Sequence, residues 1–186
     1  MGYLFEPQKL HEIAKKAVGL PFEQMCATVI DELSAAYPGH VETRQDWVYN
    51  MAAGATGIMT ILHGSLTEYL ILFGTPIGTE AFSGRYFLDI HDFILAGEMH
   101  TYTEEHPGRA VVTGPGEAAV LHRGRVKGFR FDPACWALEY GRGPIPTSLP
   151  TALSDSLLSA LDPQTVVRTF WLYGRQVCKE LLRGKL

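Results

Sequence analysis

Glu139 is the residue of this sequence with the clearest setting for chemistry. It lies in the run Cys135-Trp136-Ala137-Leu138-Glu139-Tyr140-Gly141-Arg142-Gly143. Read as a strand, that run alternates between two faces: Trp136, Leu138 and Tyr140 point one way, and Cys135, Ala137, Glu139 and Gly141 the other. The carboxylate is therefore in line with small residues. Either it looks into a space that Ala137 and Cys135 keep open, or it sits on an edge strand and meets water. Two more acidic residues, Asp89 and Asp92, follow Tyr86-Phe87-Leu88 and lie amid Ile90, Phe93, Ile94 and Leu95. On a regular strand positions 89 and 92 face opposite ways, so without a bulge only one of them can share an interior with Glu139. Two carboxyls enclosed together cannot both ionise cheaply, and one keeps its proton near neutral pH. An acid and a base side by side are the minimum for moving a proton from one place on a substrate to another.

Other chemistries find less support. The histidines His11, His40, His63, His91, His100, His106 and His122 are scattered, and no pair has the spacing of a helical zinc motif. His91 and His100 could in principle be ligands, but the tighter His-x-His signature of a metal cupin is missing, so no metal and no cofactor are expected. Cys26, Cys135 and Cys178 are odd in number and far apart, and read as reduced, packed thiols. Ala52-Ala53-Gly54-Ala55-Thr56-Gly57 lacks the Lys and Ser/Thr of a phosphate-binding loop; its small residues read as allowing close backbone packing. A formal net charge of −4, with no basic cluster interleaved with aromatics, gives no support to nucleic-acid binding. No apolar run is long enough to span a bilayer, and there is no signal peptide.

The elements that must position these residues follow from periodicity and punctuation. A chain of 186 residues is one domain's worth. Helices are expected over 6–18, with Pro7 in the first turn and Gly19 as the stop, and from after Pro21 to Pro38-Gly39. From Trp47 to Tyr140 short β-like runs dominate: 58–63, 67–74, 85–90, 93–102, 109–112, 117–121, 125–131 and 135–140. Gly124 suggests a hairpin between 117–121 and 125–131. Many short strands at this spacing argue for a barrel or sandwich. Strand 67–74 is apolar on both faces after its opening Thr67-Glu68, as a strand covered on both sides should be. After Gly143 the chain returns to helix, over 151–160 and then over roughly 163–183, capped by Asp162-Pro163. In the last helix Val166, Val167, Phe170, Trp171, Tyr173, Val177, Cys178, Leu181 and Leu182 cover about half the circumference. This stripe is expected to pack over the barrel mouth. A helix that also lies on a membrane surface, with Arg168, Arg175, Lys179 and Arg183 toward the headgroups, is compatible with it.

Four stretches in order carry a family resemblance: Ser65-Leu66-Thr67-Glu68-Tyr69-Leu70-Ile71-Leu72-Phe73-Gly74-Thr75, Ser83-Gly84-Arg85-Tyr86, Gly114-Pro115-Gly116-Glu117-Ala118, and Glu139-Tyr140-Gly141-Arg142-Gly143-Pro144-Ile145-Pro146. Together they resemble the family of fungal sterol C8-isomerases and the animal sigma non-opioid receptor, from about Phe5 to the C-terminus. The resemblance implies a mainly β fold with flanking helices: two N-terminal helices (1–45), a cupin-like β-barrel (46–143) and two C-terminal helices (144–186) facing a membrane. It further implies a homotrimer at the endoplasmic reticulum and a pocket occluded inside the barrel. Members usually carry an N-terminal transmembrane anchor, which this sequence lacks. The family's ligand-binding glutamate falls on Glu139, the receptor's partner aspartate on Asp92, and an acidic position shared by both branches on Asp89. Lining positions fall on Tyr69, Ile71, Phe73, Ile90 and Tyr173, with Met59 and Leu149 at the rim, and Tyr69 is expected to orient Glu139 through a hydrogen bond.

The activity so implied is an isomerase that moves a sterol ring double bond from Δ8 to Δ7 through a carbocation. The alternative is a non-catalytic receptor that binds hydrophobic amines or sterols, with an ammonium paired to Glu139. The sequence departs from the family at Met51-Ala52-Ala53-Gly54, where Asn-Ala-Gly-Gly is usual, and at Ala55, where the receptor has tryptophan. Residues 122–131 and 161–182 look more like the isomerases, and the Ser83–Tyr86 and Gly114–Ala118 pieces more like the receptor.

Overall fold

The computed structural model describes residues 2–185. Helix α1 (Pro7–Lys16) has Pro7 in its first turn and Lys15 and Lys16 in its last, where they meet the negative end of the helix dipole. It buries Leu10, Ile13 and Ala14; α2 (Phe22–Ala36) buries Met25, Cys26, Val29, Ile30 and Leu33. Ten strands follow: β1 (Val48–Ala52), β2 (Ala55–Gly64), β3 (Glu68–Thr75), β4 (Thr79–Phe82), β5 (Asp89–Ala96), β6 (Met99–Tyr102), β7 (Val111–Thr113), β8 (Ala118–Leu121), β9 (Gly128–Phe131) and β10 (Cys135–Arg142). They form a six-stranded sheet, β1-β2-β3-β10-β5-β8, and a four-stranded sheet, β4-β9-β6-β7. The fold is the expected mainly β one with helices at either end. Its β part is two facing sheets, not one ring closed by hydrogen bonds among the described residues.

Two cores result from the alternation of side chains across the large sheet. Leu70, Leu72, Phe93, Leu95, Leu138 and Tyr140 face α1 and α2 and pack with Leu10, Val29 and Leu33. On the opposite face Ile71, Phe73, Ile94, Cys135 and Ala137 meet Met99 and Phe131 of the small sheet. β3 is covered on both sides, as its composition requires.

Several boundaries differ from the sequence expectation. The expected strands 85–90 and 93–102 are one strand, β5, followed by β6. The break is at Gly97, whose φ is +71° and where a Cβ would lie 2.6 Å from the Cα of Cys135. Tyr86-Phe87-Leu88 belongs to the irregular segment before β5. Strands β1 and β4 were not expected; both are short and lack an apolar alternation. β1 and β2 are joined by Ala53 and Gly54, with φ of 54° and 89°, the positive values that a two-residue hairpin turn needs. Gly57 faces Gly74 of β3 so closely that a Cβ would sit 2.6 Å from its carbonyl oxygen, so this small residue serves packing within the chain. The hairpin expected at Gly124 is absent. β8 pairs with β5 and β9 with β4 and β6, so the turn carries the chain from one sheet to the other.

At the C-terminal end the expected helix 151–160 is a 3₁₀ turn (Ile145–Ser148), α3 (Leu149–Ser154) and a π turn (Asp155–Ser159). α4 (Pro163–Leu182) starts at Asp162, whose side chain accepts the Thr165 N–H at 3.0 Å. Its orientation is the expected one only in part: Val166, Phe170 and Tyr173 of the stripe face inward, and most of the rest of the stripe turns out. The buried positions are Val166, Leu172, Gln176 and Glu180, whereas Trp171 is 70% and Leu182 89% exposed. Polar contacts decide this: Gln176 donates to Glu42 at 2.9 Å, and the Glu180 carboxylate lies 2.8 Å from His40 Nδ1.

One carboxylate holds Leu4, Phe5 and Lys185 together. Glu68 is fully buried and accepts the backbone N–H groups of Leu4 (2.8 Å) and Phe5 (3.1 Å) and the Tyr140 hydroxyl (2.6 Å), and pairs with Lys185. Burial opposes its ionisation, but these donors outweigh that and hold its carboxyl below the usual range. Stability from this group is therefore present above the ordinary Glu pKa and lost as the pH falls through the lowered one. Glu68→Gln, which leaves donors and the Lys185 ammonium unmatched, is expected to cost about 2–4 kcal/mol, read as a fall in melting temperature at neutral pH that shrinks in acid.

Candidate functional site

Two antiparallel pairings bring the site together. β10 lies between β3 and β5, and the register sets Glu139 beside Ile71 on one side and Asp92 on the other. Because side chains at 90, 92 and 94 of β5 share a face, Ile90 and Asp92 look between the sheets together with Tyr69, Ile71 and Phe73 of β3. The space between the sheets is a cavity of about 200 Å³. β2 contributes Met59 and Ile61, and the small sheet Met99, Phe129 and Phe131; the segment before β5 gives Tyr86 and Leu88. Leu149 and Leu153 of α3 and Phe170 and Tyr173 of α4 cover the mouth. Glu139 is half-buried only because it borders this internal space. The reading of an edge-strand Glu in water is thereby excluded.

The electrostatics follow from the enclosure. Burial raises the Glu139 carboxyl, and the Asp92 carboxylate raises it further. The Tyr69 hydrogen bond and the Lys127 charge pull it down, and the balance is a pKa of about 7. Tyr69 donates to Glu139 Oε1 at 2.6 Å, as expected. Burial and the neighbouring Glu139 hold the Tyr69 phenol well above its ordinary pKa, so it remains a donor.

Lys127 was not foreseen. Its Nζ lies 2.7 Å from Asp92 Oδ2, with the lysine 9% and the aspartate 5% exposed. The signal was a single Lys in Val126-Lys127-Gly128-Phe129, next to residues that suit an interior, but one charge in a short run is more often turned to solvent.

The residues expected at the site separate accordingly. Glu139, Asp92, Tyr69, Ile71, Phe73, Ile90, Met59, Leu149 and Tyr173 all line the cavity. Asp89 does not join them. It lies on the other face of β5, where its carboxylate accepts the Arg123 N–H (2.9 Å) and guanidinium (3.1 Å), with Arg142 at 3.7 Å. Burial opposes its ionisation, but the two arginines prevail and keep its pKa below the usual range. This is the two-residue period at work: with no bulge between 89 and 92, one of the two must leave the interior. His91 and His100 do not converge either. His91 stacks near Phe93 and Tyr140, while His100 lies outside the cavity, grouped with Glu98 and Asp132.

The arrangement can thus hold one carboxylic acid and one carboxylate side by side in an apolar chamber, the condition for transferring a proton to a weak base. The raised Glu139 pKa has a consequence for stability. Between the free Glu value of 4.5 and about 7 the folded protein holds a proton that the unfolded chain releases, so stability falls as the pH rises through that window. Glu139→Gln removes this slope. Thermal melts are expected to find wild type and variant alike near pH 5 and the variant more stable by about 3 kcal/mol at pH 8. A difference that does not change with pH would show that Glu139 takes up no proton in this range.

Comparison with known proteins adds relatives. The chain is 41% identical to the C-8 sterol isomerase ERG2 of Gibberella zeae over 189 residues, covering 99% of this chain and 79% of that one. It is 38% identical to the sigma non-opioid intracellular receptor 1 of Taricha granulosa, covering 94% and 78%, and 38% identical to the protein erg2 homolog of Dictyostelium discoideum, covering 93% and 74%. Among solved structures, an RmlC-like cupin from Shewanella frigidimarina aligns with a TM-score of 0.41 at 14% identity, over 52% of this chain and 84% of that one. The family model described as ERG2 and Sigma1 receptor like protein matches residues 1–185, and the chain belongs to that family.

Proposed function

We propose that the chain is a sterol isomerase that shifts a ring double bond from the Δ8 to the Δ7 position. The observation that carries this reading is the pair Glu139 and Asp92 facing each other inside an apolar cavity, one of them able to keep its proton near neutrality. Relatives named C-8 sterol isomerase support the choice of substrate. In the reaction a carboxylic acid gives its proton to one alkene carbon; the π electrons form the new C–H bond and leave a carbocation at the other. A carboxylate then takes a proton from the neighbouring carbon, and the electrons of that C–H bond form the new double bond. An alkene is a weak base, so the site must exclude water and keep the acid loaded. The carboxylate left behind stabilises the cation, an attraction that low dielectric magnifies.

A second reading is favoured by the receptor relative: a binding protein that holds a hydrophobic amine, its ammonium on Glu139. An ammonium resembles the carbocation in charge and place, so amine binding does not separate the two, but turnover does. Purified protein incubated with a Δ8-sterol is expected to yield Δ7 product, and Glu139→Gln is expected to lower turnover by at least about 100-fold and to abolish amine binding with circular dichroism unchanged. Wild-type turnover in that variant would remove Glu139 from the reaction. Amine binding by wild type without any conversion would leave the receptor reading.

The same proposal sets the chain at the endoplasmic reticulum membrane as a homotrimer, with α3 and α4 toward the lipid. Supporting the lipid contact is the outer stripe of α4, where Val167, Trp171, Cys178 and Leu182 lie exposed on one side, continued by Leu158 and Leu161 before the helix. No helix of the described residues is long and apolar enough to cross a membrane. Replacing Trp171 and Leu182 together by Glu is expected to abolish flotation with liposomes while turnover in detergent persists. Unchanged flotation would show that another surface meets the lipid.

A further inference from the structure

The proton-transfer reading leaves unassigned which carboxyl is acid and which is base, and it gives no part to the buried cation beside them. Lys127 is fixed, not a swinging surface chain. Its backbone N–H donates to Ser83 Oγ at 3.0 Å and its carbonyl accepts the Ser83 N–H at 2.9 Å. Its ammonium, held by Asp92 at 2.7 Å, also lies 3.8 Å from Met99 Sδ and 5.7 Å from the centre of the Phe129 ring. The titratable groups facing the cavity are Tyr69 from β3, Tyr86 from the segment before β5, Asp92 from β5, Lys127 at the head of β9, Glu139 from β10 and Tyr173 from α4. Burial raises all three phenols above their ordinary range, so they stay neutral, and Tyr173 is engaged with the Ser65 carbonyl at 2.6 Å. Among the described lining residues Lys127 is the one cation.

We propose that Lys127 is a resident counter-ion that fixes Asp92 as the carboxylate and leaves the exchangeable proton on Glu139, so that Glu139 is the acid, Asp92 the base, and an ammonium ligand must displace the Glu139 proton to bind. This rests on the reading of Glu139 and Asp92 as the reacting pair. The charge count carries it. With Glu139 protonated, Lys127 and Asp92 cancel and the cavity is neutral; when Glu139 ionises, the cavity holds one net negative charge. Without Lys127, two facing carboxyls would share one proton and the cavity would stay at one net negative charge across neutrality. Lys127 therefore acts through Asp92 as a positioning residue. It allows the cavity to admit a neutral sterol with the acid loaded, and it makes amine binding depend on pH.

The test uses the purified full chain in detergent, with N,N-dimethyloctylamine as the amine and a Δ8-sterol for turnover. Wild-type affinity for the amine is expected to fall about tenfold per pH unit below pH 7 and to level off above it, while turnover falls in the opposite direction. Calorimetry in buffers of different ionisation enthalpy at pH 6 should find about one proton released per amine bound; none released overturns the proposal without any variant. Lys127→Met is expected to bind the amine at least about tenfold more tightly than wild type at pH 5.5, with a flat profile, and to lose turnover, whereas Lys127→Arg keeps the wild-type profile. A Lys127→Met profile that tracks wild type, or a Lys127→Arg profile that tracks Lys127→Met, overturns the role of the charge. Retained binding and turnover in Glu139→Gln would instead overturn the site itself.

Discussion

The antiparallel register between β10 and β5 sets Glu139 opposite Asp92, and most of the molecule serves that placement. Two carboxyls on neighbouring strands, aimed into an apolar space, are an expensive arrangement, because each charge loses its hydration and the two repel. The structure resolves the conflict by dividing the pair. Asp92 is given an ammonium at 2.7 Å, and Glu139 is given a phenol that can donate to it in either protonation state. The result is two adjacent carboxyls with different partners, one paired with an ammonium and the other hydrogen-bonded to a phenol.

β10 serves two interiors at once. Glu139 turns toward the cavity, and the next residue, Tyr140, turns toward the helices and donates to Glu68, which in turn gathers the chain near both termini. One strand thus links the cavity carboxyl Glu139 to Glu68, which ties the chain near Leu4, Phe5 and Lys185 to the sheet. The large sheet is covered by α1 and α2 on one side and by the small sheet on the other, so its centre strands cannot shift register without exposing one core or the other. That rigidity holds the Glu139–Asp92 pair in one geometry inside the cavity.

α4 divides its labour in the opposite sense. Its inward face is partly polar, with Gln176 and Glu180 tied to Glu42 and His40, and its outward stripe is apolar. An inward polar face fixes the helix as a cover at Phe170 and Tyr173, while the outward stripe leaves an exposed apolar surface beside the cavity mouth.

What the sequence determined by itself was local and periodic. The alternation in 135–143 separated Glu139 from Trp136, Leu138 and Tyr140, and the two-residue period forced Asp89 and Asp92 apart. Pro, Gly and Asp162 marked the helix ends, and the motif runs carried the family and part of the cavity lining, including Tyr69, Ile71, Phe73 and Glu139. What only the tertiary structure decided was pairing between distant segments. It chose Asp92 over Asp89, brought Lys127 across 35 positions to meet it, sent the turn at Gly124 between sheets, and turned most of the apolar stripe of α4 outward. The reason is physical: periodicity says which residues share a face, but burial and the pairing of charges depend on which faces meet, and that is set by the register of strands far apart in the chain.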